Sequence, residues 1–295
     1  MAINPLKQYA RIPKIYVKLP TNGKFYPTDM FEYTANGEVG VKAMTATDDL
    51  YMSNPDSLLN SDSVYHVLKS CVVGLKDPRK LKVPDVNALM MAIRGASKGD
   101  KLKLTTVCPK CGEEHEETLS VRSLLDATAT LDASGINPVI EFKKEDFTIR
   151  VNTQSSPYND VTGANIVAFE LARLQQYITN NPDMSDVERQ NRMSDAFQKM
   201  ADFQKTVFLN SVESVDLVQM SGEEEVVTKV TDKAHIEEFF LDLESADTQL
   251  INENVAKLTN DIGVPNEIPV VCPHCEHEYT MEVKFDPSNF SEDNS

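Results

Sequence analysis

At 295 residues with 41% hydrophobic side chains, the chain can bury a core of one or two domains. Its 46 acidic and 29 basic residues leave a formal charge of -17, which repels phosphate backbones and argues against broad contact with DNA or RNA. No stretch approaches the roughly 20 apolar residues of a membrane span. The opening Met1-Ala2-Ile3-Asn4-Pro5 lacks a secretory pattern and five cysteines are too few for a disulfide scaffold, so the chain reads as soluble and made in a cytoplasm.

Residues 14 to 45 read as short strands broken by turns. Ile15 to Leu19, then Phe25-Tyr26-Pro27, then Val39 and Val41 are separated by Asn22-Gly23 and Asn36-Gly37, pairs that supply the positive φ angles of tight hairpins. The period then changes to helical. Thr47 ahead of Asp48-Asp49, and Ser57 or Ser61 ahead of Val64, Val67, Leu68, Cys71 and Val72, look like helix caps. Asp85 does the same before Leu89, Met90 and Ile93, with Gly95 as the stop. Leu102, Leu104 and Thr106 alternate into Cys108-Pro-Lys-Cys111, and Thr118 to Val121 lead out.

Val139 to Phe142 and Phe147 to Val151 flank a polar turn as a hairpin, and after Pro157 the chain turns helical. Three helical stretches follow, carrying Ile166 to Ile178, Met193 to Phe208 after Asn181-Pro182, and Ile236 to Leu258 before Gly263-Val264-Pro265. Their Met and Phe stripe is a docking face or ordinary core, and core is the usual fate of an amphipathic face. A second knuckle, Cys272-Pro-His-Cys275, is entered by Pro269-Val270-Val271 and left by Tyr279, Met281, Val283 and Phe285.

Two Cys-x-x-Cys turns, each between strands, complete the tetrahedral thiolate sphere of a structural Zn2+ at Cys108, Cys111, Cys272 and Cys275. A redox pair would sit at a helix N-terminus, and neither pair has helical sequence after it. One shared metal makes residues 112 to 271 an excursion. The expected fold is therefore α+β, a discontinuous zinc-clamped base domain (14–125 plus 265–287) with a zinc-ribbon-like site and a mainly helical insertion (126–264), between an N-terminal tail (1–13) and a flexible C-terminal tail (288–295). His115, His274 and His277 are the alternative ligands, but four thiolates already fill the sphere and leave no open position for catalysis. No phosphate loop, nucleophile elbow or His-Glu-x-x-His motif is present, so no catalytic residue and no enzyme is expected. Cys71 reads as a core thiol, and His66 and His235 as lone helical histidines.

The string Tyr16-Val-Lys-Leu-Pro-Thr-Asn-Gly-Lys-Phe-Tyr-Pro27, with Lys42-Ala-Met-Thr-Ala46, Asn54-Pro55, Ile93-Arg94 and the first Cys-Pro-x-Cys, resembles the baseplate hub family of T-even-type contractile-tailed bacteriophages over about residues 14 to 125. That resemblance implies a non-enzymatic subunit of the virion tail baseplate, hub or hub-proximal, made in the host cytoplasm. Its partners would be other baseplate or tail-tube subunits in a symmetric multi-subunit assembly, with no nucleic acid and no membrane. The alternatives are an assembly chaperone absent from the mature virion, and an acidic zinc-ribbon protein that binds nucleic acid or transcription machinery. Glu113, Glu114, Glu116, Glu117, Glu276 and Glu278 crowd the knuckles and disfavour the last. The Leu19 to Pro27 turn is a contact surface anchored by Phe25 and Tyr26, or else those rings pack on their own sheet.

Overall fold

The structure, a computed structural model, describes residues 11–53, 61–144, 146–181, 183–221 and 224–283. Expectations resting on Asn54-Pro55, Ser57, Pro182, Phe285, the tail 288–295 and most of the tail 1–13 lie outside the described residues. The chain divides into two compact units, one of residues 1–78, 84–133 and 262–295, the other of 79–83 and 134–261.

In the first unit, β1 (Ile15–Val17) pairs antiparallel with β2 (Val39–Val41), Tyr16 facing Gly40. Phe25 and Tyr26, expected in a strand, instead lie in successive turns. Asn22 and Gly23 take φ of 54° and 73°, and the Lys24, Tyr26 and Met30 N–H groups donate to the carbonyls of Thr21, Gly23 and Pro27, so the backbone keeps winding. Helix α1 (Ala46–Met52) is capped by Thr45 rather than Thr47. The Thr45 hydroxyl accepts from Asp48 N–H at 3.2 Å while the Asp48 carboxylate accepts from Thr45 N–H at 2.7 Å, a capping box. Burial works against the charge on Asp48, but bonds from Thr45 and Ser70 and the Arg11 guanidinium outweigh it and hold the carboxyl below its ordinary range.

Helix α2 (Asp62–Cys71) places His66 over the Tyr51 ring at 3.7 Å and its Nε2 3.2 Å from Asp48, so this histidine has partners the sequence did not reveal. Cys71 is fully buried, and burial together with the Asp48 charge pushes its thiol up to about 11, as suits a core thiol. Helix α3 (Val83–Lys98) runs through Gly95 instead of stopping there. A Cβ at Gly95 would meet Val121 Cγ1 at 2.8 Å and Ile15 Cδ1 at 3.1 Å, so the glycine serves close packing, and Gly99 (φ 87°) follows the helix end.

Strands β3 (Lys101–Val107) and β4 (Glu114–Ser120) form an antiparallel hairpin, followed by α4 (Val121–Asp126) and the single turn α5 (Leu131–Ser134). Ala88 and Met91 of α3, Leu102 of β3, Val121 and Leu124 of α4, and Val264 share one core.

The second unit carries β5 (Val139–Lys143), β6 (Phe147–Thr153), α6 (Tyr158–Asn180), α7 (Asp186–Asn210), β7 (Val212–Ser221), β8 (Glu224–Val230), α8 (Lys233–Leu241) and α9 (Ser245–Asn260). Its four strands form one antiparallel sheet in the order β5-β6-β7-β8. Most of the insertion is helical, as expected, but the hairpin is extended by two strands that were not expected, since β7 and β8 supply half of the sheet. Their signal was present: Val212, Val215, Leu217 and Val218, then Val226, Val227, Thr228 and Val230, are valine-rich runs on either side of Gly222.

Ile140, Phe142, Val151, Val212 and Val215 of the sheet pack against Ile236 of α8 and Ile251 and Val255 of α9. The Met and Phe stripe is not uniformly core. Phe208 meets Phe240 edge-on at 4.6 Å beside this cluster, yet Phe169 and Phe197 are exposed. Helices α6 and α7 pack mainly on each other, which leaves Leu171 as the one buried residue described in α6 and none in α7.

The chain returns to the first unit through a pair of backbone bonds between Ala129 and Gly263, of 2.9 and 2.8 Å. There β9 (Glu267–Val271) and β10 (Glu278–Glu282) make a second hairpin. Among the described residues no helix is long and apolar enough to cross a membrane.

Candidate metal centre

The two cysteine pairs sit at the tips of the β3-β4 and β9-β10 hairpins, and the fold brings all four together. Their sulfurs lie within 4.8 Å of one another. Cys108 Sγ is 3.7 Å from Cys275 Sγ, and Cys111 Sγ is 3.7 Å from Cys272 Sγ. A tetrahedral ion with metal–sulfur bonds of ~2.3 Å has sulfur–sulfur edges of about 3.8 Å. The donor set and its spacing thus fit a thiophilic ion such as zinc, with Cys108 and Cys272 buried and Cys111 exposed.

The two turns are built alike. Cys108 N–H donates to the Glu113 carbonyl at 3.0 Å and Gly112 N–H to the Cys108 carbonyl at 2.9 Å; Cys272 N–H donates to His277 and Glu276 N–H to Cys272, each at 2.9 Å. Backbone amides also point at the sulfurs. Burial opposes ionisation of Cys108, but the amides of Cys111 and Lys110 outweigh it and bring the thiol down to about 7. At Cys111 the amide of Glu113 favours the thiolate, yet burial and the sulfurs of Cys275, Cys108 and Cys272 prevail and push it up to about 12. Four sulfurs at this spacing cannot all ionise on their own. A divalent cation removes the conflict by making each thiolate a ligand.

Each turn needs one left-handed residue directly after its second cysteine. Gly112 supplies it at φ 75° and Glu276, a residue with a Cβ, at φ 55°. Nothing lies within 4 Å of a Cβ placed on Gly112, so Gly112→Ala introduces backbone strain without a clash. It is expected to cost about 1 kcal/mol, while Glu276→Gly relieves a comparable strain and leaves stability equal or slightly raised. Urea titration of the two variants checks the opposite signs.

The hairpins also hold each other by apolar contact. Val270, Met281 and Val283 form a buried cluster with Leu104, Leu119, Ile268 and Tyr279. Tyr279 donates its hydroxyl to Thr106 at 3.2 Å, and that oxygen is 3.3 Å from His115 Nε2. His115 thus packs against Tyr279 and belongs to the interface between hairpins; His277 stacks on the same ring, and His274 is exposed. The four-residue metal cluster among the described residues contains cysteines alone. His235 lies on α8, 3.8 Å from the Asp232 carboxylate that caps that helix.

The resemblance string has its own structural centre at Asp85, in the first turn of α3. Its buried carboxylate accepts from Thr21 N–H at 3.0 Å, the Thr21 hydroxyl at 2.7 Å and the Tyr26 hydroxyl at 2.5 Å. Tyr26 also meets Phe31 edge-on at 5.5 Å. The Tyr26 polar group is thereby turned inward, and sequence reasoning missed the carboxylate that turns it.

A family model described as T4 bacteriophage base plate protein matches residues 12–290. Comparison with curated proteins and with solved structures gave no match.

Proposed function

Starting from the fact that the chain belongs to the family of T4 bacteriophage base plate proteins, we propose that it is a structural, non-enzymatic subunit of the phage tail baseplate, at or next to the hub. The observation that carries this reading is the extent of the match, which takes in both cysteine pairs and the whole excursion between them. The division of labour that follows is a base of residues 14–125 and 265–287, clamped by Zn2+ on Cys108, Cys111, Cys272 and Cys275, and an insertion of 126–264.

Chemically, a filled four-thiolate sphere leaves no position for water or substrate, so the metal's role is to fix geometry. The partners are other baseplate or tail-tube subunits in a symmetric assembly, and the place of action is the virion tail. The charge of -17 and the glutamates beside the knuckles disfavour a nucleic-acid partner.

Quantitative mass spectrometry of purified virions, beside lysates of infected cells, tests the reading. The expected result is a fixed copy number per particle. Abundance in lysate with absence from virions would assign the chain to assembly and sink the structural role. Metal analysis of the purified chain should give one zinc per chain.

A further inference from the structure

Strand β8 lies at the edge of the second unit's sheet, and among the described residues it pairs with β7 alone. Its ladder with β7 is regular over all seven residues, with no bulge, and the strand holds no proline. Natural edges are ordinarily blunted by proline, bulges, charged side chains or a covering element, because a free row of N–H and C=O groups is a template for another strand. This edge has none of the first two and is open on both faces: Val226 and Val227 are 50% and 49% exposed, and six of the seven residues are exposed.

The sequence of the strand, Glu224-Glu-Val-Val-Thr-Lys-Val230, says what fits the edge. In an antiparallel ladder the outward backbone groups belong to alternate residues, so residues facing each other across a new pair have the same parity. Two copies related by a two-fold axis must therefore place that axis at a residue. An axis through Val227 sets Glu225 against Lys229 twice, Val226 against Thr228 twice, and Val227 against its own copy. Opposite charges and β-branched residues facing one another favour pairing. An axis through Val226 would instead oppose Glu225 to Val227, and one through Thr228 would oppose Lys229 to Val227, leaving both charges unmatched. Glu225 and Lys229 remain half-exposed in their pairs with Arg150 and Glu213, at 3.2 and 3.4 Å, so each can still reach across the edge.

We propose that β8 is a self-association edge, at which a second copy of this chain adds its own β8 antiparallel about Val227 and joins two four-stranded sheets into one of eight. This goes beyond the baseplate reading and does not depend on the metal. A seven-residue strand pair buries less than the roughly 1,200 Å² of stable complexes, so the free chain pairs weakly, with a dissociation constant on the order of 100 μM.

Sedimentation of the full chain over a concentration series tests this together with two charge reversals. Glu225→Lys and Lys229→Glu are each expected to weaken dimerisation at least tenfold, because each sets like charges opposite. An equimolar mixture of the two variants is expected to recover it, since every Lys of one then faces a Glu of the other. That mixture also separates loss of pairing from loss of folding. Hydrogen exchange should slow in β8 amides as concentration rises. A wild-type chain that stays monomeric, dimers untouched by either reversal, or failure of the mixture to associate would each overturn the proposal. So would protection of β8 appearing only when another baseplate protein is added.

Discussion

Replacing Cys272 with serine is expected to lower the melting temperature by about 10 °C. The four sulfurs lie at the spacing of a tetrahedral metal site, and the substitution removes one of them. A structural zinc is worth ~10–16 kcal/mol to the fold it closes, so one of four ligands carries roughly 3 kcal/mol. At about 2–4 °C per kcal/mol for a domain of this size, that loss gives the shift stated. Treatment of the wild-type chain with a chelator should match or exceed it.

The effect has a ceiling, because the hairpins share the cluster of Val270, Met281 and Val283 and the paired backbone bonds of Ala129 and Gly263. Limited proteolysis of the chelated chain should consequently cut the cysteine turns before it releases β9 and β10. A melting temperature indifferent both to chelation and to Cys272→Ser would remove the metal from the account.

What could be read from sequence divides along physical lines. The cysteine turns were legible because metal ligation demands residue type and spacing together, and both are local. The strands beside them, β3, β4, β9 and β10, were legible for the same reason, their apolar alternation being anchored by the cysteines. Strands β7 and β8 were missed although their valine-rich runs were visible. The apolar positions of β7 continue directly from α7, where Val207, Phe208 and Leu209 precede Val212, and period alone does not say where a helix hands over to a strand.

Gly95 misled for another reason. A glycine inside an apolar helical pattern reads as a stop, whereas here it makes room for Val121 and Ile15, residues distant in sequence. The partners of Asp48 and Asp85 were invisible on the same ground, since a buried carboxylate looks like any solvated one until the fold brings its donors. The place of His115 also needed the fold: it packs against Tyr279, while the clustered ligand atoms among the described residues are those of the four cysteines.

The second large effect lies at Asp85. Asp85→Ala is expected to destabilise the chain by about 3–4 kcal/mol, because it removes the acceptor of the buried Thr21 N–H and hydroxyl and of the part-buried Tyr26 hydroxyl. The carboxylate also sits in the first turn of α3, where the helix dipole favours a negative charge. Asp85→Asn separates these contributions. Its amide oxygen still accepts from Thr21 N–H, and the Thr21 and Tyr26 hydroxyls can rotate to accept from its NH2, so the hydrogen bonds largely survive while the charge is lost. A cost of about 1–2 kcal/mol follows.

Tyr26→Phe, which removes one donor to a charged acceptor and keeps the ring on Phe31, should cost a similar ~1.5 kcal/mol. Urea titration of the three variants supplies the ranking. Equal losses for Ala and Asn would mean that charge alone governs the site, whereas a negligible loss for Ala would show that the loop from Leu19 to Pro27 is held by its turns without Asp85. The expected order, Ala well above Asn and Phe, makes this loop a fixed part of the first unit's core, held by the donors that one buried carboxylate requires.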